Sequence, residues 1–355
     1  MTQSFPMNAW YAACWNVEAT RNLLSRTICG KKIVLYRRLD ERPVALDDAC
    51  WHRLVPLSQG KLDGDNVICG YHGLVFEPGG RCVYMPSQET INPSACVRSY
   101  PVVERHRLVW IWPGDPALAD ARQIPDLHWQ DDPDWAGEGE TLHLSCNYRL
   151  VLDNLMDLTH ETFVHADSIG DATVAETPFS VARTEDTVTV TRWMLDVDPP
   201  PFLKEQLGRQ GNVDRWQIIT YQAPSSIVID GGVAPVNTGA PSGDRSQGVN
   251  HMVVNTITPE SERSCFYFWS FPRNYRIRDR RLTRSQHQSV VAIFRQDEVI
   301  LTAQQRAIDE NPDKQFYNLN IDAGAMWVRR LLAARIDREL AREPSSVARP
   351  VAAAE

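Results

Sequence analysis

The sequence predicts an α+β protein in two parts, a small all-β domain followed by a larger domain that carries its own sheet and long helices. Three observations predict it. The chain has 355 residues, of which 43% are hydrophobic, enough for two ordinary domains with real cores. Short β-rich runs broken by glycine and proline fill its first third. Past Gly139, longer strand runs alternate with segments of helical period.

In the first part the strand runs are Lys32–Tyr36, Val44–Leu46, Val67–Ile68, Leu74–Phe76, Cys82–Tyr84 and Leu108–Trp112. Each is rich in β-branched and aromatic residues. Gly60, Gly64, Gly79-Gly80 and Pro113-Gly114 punctuate them. Residues 1–120 are therefore expected to form the first domain. Pro113–Gly139, rich in Pro, Asp and Gly, is expected to be a surface linker. Residues 121–342 are expected to form the second domain, with helical character over Tyr148–Phe163. Strands are expected at Thr187–Trp193, Asp214–Tyr221, Ser226–Ile229, Met252–Ile257 and Cys265–Phe271. Asn237–Asn250 is rich in Gly, Pro and Ser and is expected to be a mobile loop. Thr283–Ile308 and Ala325–Leu340 are expected to be helices, and residues 343–355 a flexible tail.

Charge and termini exclude several roles. The net charge is −8, so nucleic-acid phosphates and anionic membrane surfaces are repelled. Met1–Trp10 carries no basic segment followed by an apolar one, and no stretch reaches the ~18 apolar residues of a membrane span. A cytoplasmic protein is expected. The eight cysteines are spread through a long chain, which argues against a disulfide framework. Cys50 and Cys69 are singled out by histidine neighbours in two short, similar motifs. The other six are expected to be buried packing residues.

Residues 50–53 read Cys-Trp-His-Arg and residues 69–73 read Cys-Gly-Tyr-His-Gly. Two thiolates and two imidazoles make a soft metal site. The spacing alone fits a structural zinc ion sharing all four ligands. It fits equally a [2Fe–2S] cluster with two Cys on one iron and two His on the other. Pro56-Leu57-Ser58 and the glycines at 70 and 73 favour the cluster, because tight loops bring backbone N–H groups toward bridging sulfides.

A second constellation spans residues 154–165, where Asn154, Asp157, His160, Glu161 and His165 fall within one short segment. Two incidental histidines on a polar helix face is an open reading of these residues alone. Positions five apart on a helix diverge by about 140°, so a straight helix cannot aim His160 and His165 at one ion. The chain must bend or end between them. Downstream, Val290, Phe294, Asp297 and Leu301 form one stripe of a helix. Asp297 interrupts an apolar face, and a buried carboxylate requires a cation or a polar partner. Glu298, at the edge of the stripe, is the weaker candidate.

These residues resemble the Rieske non-haem iron oxygenases. Cys50-x-His52-Arg53, Pro56-Leu57-Ser58 and Cys69-x-Tyr71-His72-Gly73 resemble the family's N-terminal cluster motif. Asn154-x-x-Asp157-x-x-His160-x4-His165 is similar to its iron-binding motif. Trp51 stands where many relatives have Pro, and Leu74 stands where ring-hydroxylating dioxygenases usually have Trp. The second departure is similar to the O-demethylase branch. Asp153–Gly170, Pro199–Phe202, Val213–Gln217 and Leu319–Gly324 look like the vanillate O-demethylase group, and Ala234–Asp244 looks like toluenesulfonate methyl-monooxygenase components.

The resemblance implies a Rieske domain followed by an antiparallel helix-grip catalytic domain. It implies Cys50, His52, Cys69 and His72 as cluster ligands, and His160, His165 and Asp297 as ligands of Fe(2+). Asp157 would bridge to His72 of a neighbouring subunit in a head-to-tail homotrimer, and Asn154 would sit near the iron. The chain contains no glycine-rich dinucleotide fingerprint after a strand. The resemblance accordingly implies a separate NAD(P)H-dependent reductase carrying flavin and a ferredoxin-type iron–sulfur centre. The implied reaction hydroxylates a methyl group of an aromatic acid with O2. For an aryl methyl ether the hemiacetal product collapses to a phenol and formaldehyde; ring or methyl hydroxylation of another aromatic acid or an aryl sulfonate is the alternative. His251 is a candidate substrate contact, and a satisfied strand histidine is the competing reading. The substrate pocket is expected between the second sheet and the loop at 237–250.

Overall fold

A computed structural model describes residues 4–166 and 168–342; the expected tail at 343–355 lies outside the described residues. Ten short strands build the N-terminal part: β1 (Tyr11–Trp15), β2 (Leu24–Ile28), β3 (Lys31–Arg37), β4 (Pro43–Asp47), β5 (Lys61–Asp63), β6 (Asn66–Ile68), β7 (Val75–Phe76), β8 (Cys82–Tyr84), β9 (Val102–Arg105) and β10 (Leu108–Ile111). They form three small antiparallel sheets, ordered β1-β10-β9, β2-β3-β4 and β5-β6-β7-β8. The β5–β8 sheet and the β3–β4 hairpin enclose a core of Val34, Leu57, Val67 and Phe76, which also contains Cys50 and Cys69.

The second part is built on one antiparallel sheet of seven strands, ordered β11-β17-β16-β15-β14-β13-β12. Its strands are β11 (Gly139–Leu144), β12 (Phe179–Arg183), β13 (Thr187–Val197), β14 (Val213–Gln222), β15 (Ser226–Pro235), β16 (Val249–Ser261) and β17 (Ser264–Ser270). The helices are α1 (Tyr148–Met156), α2 (Glu161–Val164), α3 (Ala172–Glu176), α4 (Pro201–Leu207), α5 (Arg280–Glu310) and α6 (Ala323–Arg342). One core joins α1, α5 and α6 to the sheet through Leu152, Met156, Val190, Ile219, Phe294 and Val328. This is the α+β, antiparallel-sheet-and-helix architecture expected above.

Four local expectations need correction. Val249 and Asn250 belong to β16 rather than to the preceding loop. That loop lies on the far side of the sheet from the cavity described below: its Ala240 packs with Trp216 and Ala234, and Arg245 pairs with Asp230 at 2.5 Å. Cys96 is exposed, because Ala95 and Val97 on either side of it point inward and leave it facing out. The 113–139 segment is not wholly a surface linker, since its Ile124 and Leu127 are buried in one cluster with Trp10, Trp112 and Phe268.

Candidate metal centres and cavity

The two Cys/His loops share one hydrogen-bond frame. Cys50 N–H donates to Val55 O at 2.9 Å, and Cys69 N–H donates to Leu74 O at 2.8 Å. In return Leu54 N–H reaches Cys50 O and Gly73 N–H reaches Cys69 O. Each loop therefore needs a left-handed residue four positions after its cysteine. Gly73 supplies one at φ +73°, and Leu54 accepts φ 59° despite its side chain. The loops also approach closely, since a Cβ on Gly70 would fall 2.8 Å from Gln59 O.

This packing sorts the four side chains by type. Cys50 and Cys69 are buried neighbours, and burial pushes the Cys50 thiol up to about 11. His52 and His72 are exposed and in edge contact, with ring centroids 4.7 Å apart. An inner thiol pair and an outer imidazole pair suit a two-iron cluster with like ligands on each iron. A single tetrahedral ion would draw all four atoms to one centre.

The second centre is compact. The helix that begins at Tyr148 breaks at Asp157, tightens into a 3-10 turn over Leu158–His160, and ends at Val164. Asp157 caps that turn by accepting from Thr159 N–H at 2.9 Å. No straight helix carries both histidines, and the break allows their rings to converge. His160 Nε2 and His165 Nε2 lie 3.5 and 3.4 Å from Asp297 Oδ1. All three ligand atoms lie within 4.8 Å of one another.

The far side of each ring is tied. His160 Nδ1 donates to Asp157 O at 2.6 Å, and His165 Nδ1 donates to Gln296 Oε1 at 2.8 Å. Both tautomers thereby leave an Nε2 lone pair facing the shared centre, the arrangement that metal-ligating histidines use. Asn154 Nδ2 donates to Asp297 Oδ1 at 3.1 Å. Burial alone would lower the His165 pKa; Asp297 and Gln296 outweigh it and raise it. Asp297 lies on the buried stripe of α5 with Val290, Phe294 and Leu301, whereas Glu298 pairs outward with Arg295. Two histidines and one carboxylate on one face suit non-haem iron(II) with positions left open.

The triad forms part of the wall of a cavity of about 500 Å³, a volume suited to one small aromatic molecule. Sheet residues Arg215, Gln217, Gly231, His251 and Val253 line one side, α5 residues another, and Phe202 and Leu203 of α4 a third. Residues 237–248 do not line it; α4 fills that position instead. His251 stacks on Phe271 at 4.7 Å, and its Nδ1 is buried without a partner. Burial pushes its pKa down to about 4, so the ring is neutral near pH 7 and has one N–H to donate.

Sequence reasoning gave no role to Gln296, Arg215 or Gln217, and only listed Glu161. Arg215 and Gln217 carry a usable signal: they alternate on β14 with Trp216 between them, which puts two polar residues on one face. Gln296 precedes Asp297 at the edge of the α5 stripe.

The Rieske [2Fe–2S] domain profile matches residues 9–101, and the vanillate O-demethylase oxygenase C-terminal domain profile matches residues 144–338. The chain belongs to the vanillate O-demethylase oxygenase family. Within that family it is 43% identical to the vanillate O-demethylase oxygenase subunit of Pseudomonas sp. (strain HR199 / DSM 7063), covering 96% of both chains. It is 40% identical to the toluene-4-sulfonate monooxygenase iron-sulfur subunit of Comamonas testosteroni, over 92% of this chain and 96% of that one. A crystal structure of dicamba monooxygenase bound to dicamba superimposes with a TM-score of 0.86 at 34% identity, covering 95% of this chain and 99% of that one. As a member of this family the chain is an oxidoreductase, the oxygenase component of a multicomponent monooxygenase. It carries a Rieske [2Fe–2S] cluster and a mononuclear iron site. Among the described residues no helix is long and apolar enough to cross a membrane.

Proposed function

We propose that this chain O-demethylates a methoxylated aromatic acid such as vanillate, with release of formaldehyde. The observation that carries the reading is the convergence of His160 Nε2, His165 Nε2 and Asp297 Oδ1 on a cavity that is also lined by His251, whose Nδ1 is buried without a partner. When bound, the cluster supplies electrons and the iron supplies the site of oxygen activation.

The protein residues hold and aim. Gln296 and the Asp157 carbonyl fix the ring orientation of the two histidines, and Asn154 steadies the Asp297 carboxylate. The neutral His251 ring, held flat against Phe271, donates one hydrogen bond to the substrate carboxylate. Phe202 and Leu203 cover the aromatic ring and exclude water. Hydroxylation of the methyl carbon yields a hemiacetal, whose collapse transfers the hydroxyl proton to the departing phenolate and frees formaldehyde.

Cys50, His52, Cys69 and His72 are the cluster ligands in this reading. The separate reductase carries flavin and a ferredoxin-type iron–sulfur centre and draws on cytoplasmic NAD(P)H, which makes this chain cytoplasmic too. The oxygenase acts as a head-to-tail homotrimer. In that ring the exposed His72 of one protomer would meet Asp157 of the next, the contact across which the cluster, when bound, would supply electrons to the neighbouring iron site. Support comes from the placement of the imidazole pair at the surface and from Asp157, which is half-buried and whose backbone carbonyl accepts from His160 Nδ1.

The test is a panel of methoxybenzoates and aryl sulfonates with a surrogate reductase, following NADH, formaldehyde and aromatic product together. Equimolar formaldehyde and demethylated phenol are expected from a 3-methoxybenzoate. A hydroxymethyl product from toluenesulfonate, with no formaldehyde from any methoxybenzoate, would replace demethylation with methyl hydroxylation.

A further inference from the structure

We infer that Asp48 holds the cluster at a low reduction potential, by placing a buried charge without a counter-ion behind the cysteine pair. This rests on the reading of Cys50, His52, Cys69 and His72 as the cluster ligands and does not depend on the substrate.

Asp48 is 3% exposed. Buried and half-buried residues alternate from Leu46 to Cys50, so Asp48 turns inward with both of them. Its Oδ1 accepts from Ser58 N–H at 2.7 Å. Its Oδ2 accepts from the Ser58 and Ser25 hydroxyls at 2.7 and 2.8 Å. Contacts this short suit a charged acceptor. All three donors are neutral, and among the described residues no Lys, Arg or His pairs with the carboxylate.

A buried carboxylate normally has a cation. A neutral asparagine could accept from the same N–H and hydroxyls, so clamping Ser58 does not call for the charge. The charge itself needs a use, and its place supplies one. Asp48 precedes Cys50 by two residues, which keeps the two Cα atoms within ~7 Å. Ser58 leads into Gln59, whose carbonyl lies against Gly70 beside Cys69. The carboxylate is therefore tied to both cysteine loops on their buried side, while His52 and His72 face solvent.

Reduction adds one electron to the cluster, and a fixed anion nearby disfavours the added charge. At ~10 Å and an effective dielectric constant of about 20, a unit charge moves a one-electron equilibrium on the order of tenfold. Burial protects this effect from screening by salt, whereas the exposed Arg53 is screened. Asp48 would thus favour electron transfer onward to the iron and require a strongly reducing one-electron donor upstream.

Anaerobic redox titration of the holoprotein with one-electron mediators, read by cluster EPR at one fixed pH, tests this without turnover. Asp48→Asn keeps an acceptor oxygen and removes the charge. Its reduction equilibrium should rise about tenfold, ~59 mV for one electron, with cluster content unchanged. Ser25→Ala lies outside both cluster loops; it strips one hydroxyl from the carboxylate and leaves the charge, so its potential should fall. A role confined to packing would move neither variant, or both in the same direction. An unchanged or lowered potential in Asp48→Asn would overturn the inference, as would a raised one in Ser25→Ala. If Asp48→Asn loses its cluster, Ser25→Ala decides alone: a fall upholds the inference, and no fall overturns it. Unaltered cluster EPR in a Cys50→Ala variant would instead defeat the ligand assignment on which the inference rests.

Discussion

The two metal regions of this chain are built in opposite ways. At the N-terminal site the cysteines are buried and the histidines face solvent, flanked by Leu54 and Tyr71 at 74% and 62% exposure. At the second site His165 and Asp297 are 1% and 7% exposed, and each histidine is tied from behind by a hydrogen bond. A centre that passes electrons to a partner profits from a ligand edge at the surface. A centre that activates oxygen profits from enclosure, where water is excluded and geometry is held. The difference predicts that damage at the buried site abolishes chemistry without touching the cluster, whereas damage at the exposed edge interrupts delivery.

The largest effect is expected at the buried site. His165→Ala should reduce formaldehyde release below detection and lower iron content from about three to about two per chain, with the Rieske absorption and EPR signals intact. Loss of the cluster signals in the same variant would break the independence of the two regions. Next comes Asp157→Asn. Asparagine retains a side-chain oxygen for the Thr159 cap and leaves the backbone carbonyl on His160, so both metals should remain. Product formation should fall about a hundredfold, seen as slow oxidation of the reduced cluster in stopped flow. Unchanged turnover would remove Asp157 from the electron path.

A smaller effect is expected at the support of the buried site. Gln296→Leu frees His165 Nδ1, and iron retention against a chelator should weaken about tenfold, while cluster content does not change. The smallest effect concerns pH. The depressed His251 pKa keeps its ring neutral above pH 6, so benzoate affinity should be flat between about pH 7 and about pH 8.5. An affinity that falls through this window as pH rises would mean that a protonated His251 is the binding form.

The comparison also explains what could be read from residue order. The cluster ligands and the two iron histidines each fall in short segments, so local spacing exposes them. Asp297 was legible as a charge in an apolar helical stripe, because burying a carboxylate demands a reason. The bend required by the five-residue histidine spacing was likewise legible, and the break at Asp157 provides it. Gln296 and Gln217 were not, because their partners, His165 and Glu161, are brought to them only by tertiary packing. The loop at 237–250 is legible from its composition, yet its expected place beside the cavity is not, because the face of a sheet on which a loop settles depends on tertiary packing, here on Trp216 and Ala234. Cys96 was misjudged for the same reason: one residue of strand phase reverses its face.

The central claim is that the cluster of one protomer serves the iron of the next. It is tested by co-assembling a cluster-deficient Cys69→Ser chain with an iron-site-deficient His160→Ala chain, neither of which turns over alone. In a head-to-tail ring assembled at random from equal amounts, about one contact in four joins an intact cluster to an intact iron site. The co-assembled preparation as a whole should therefore release formaldehyde at about a quarter of the wild-type rate per chain. Mixed trimers that form and remain inactive would contradict the claim.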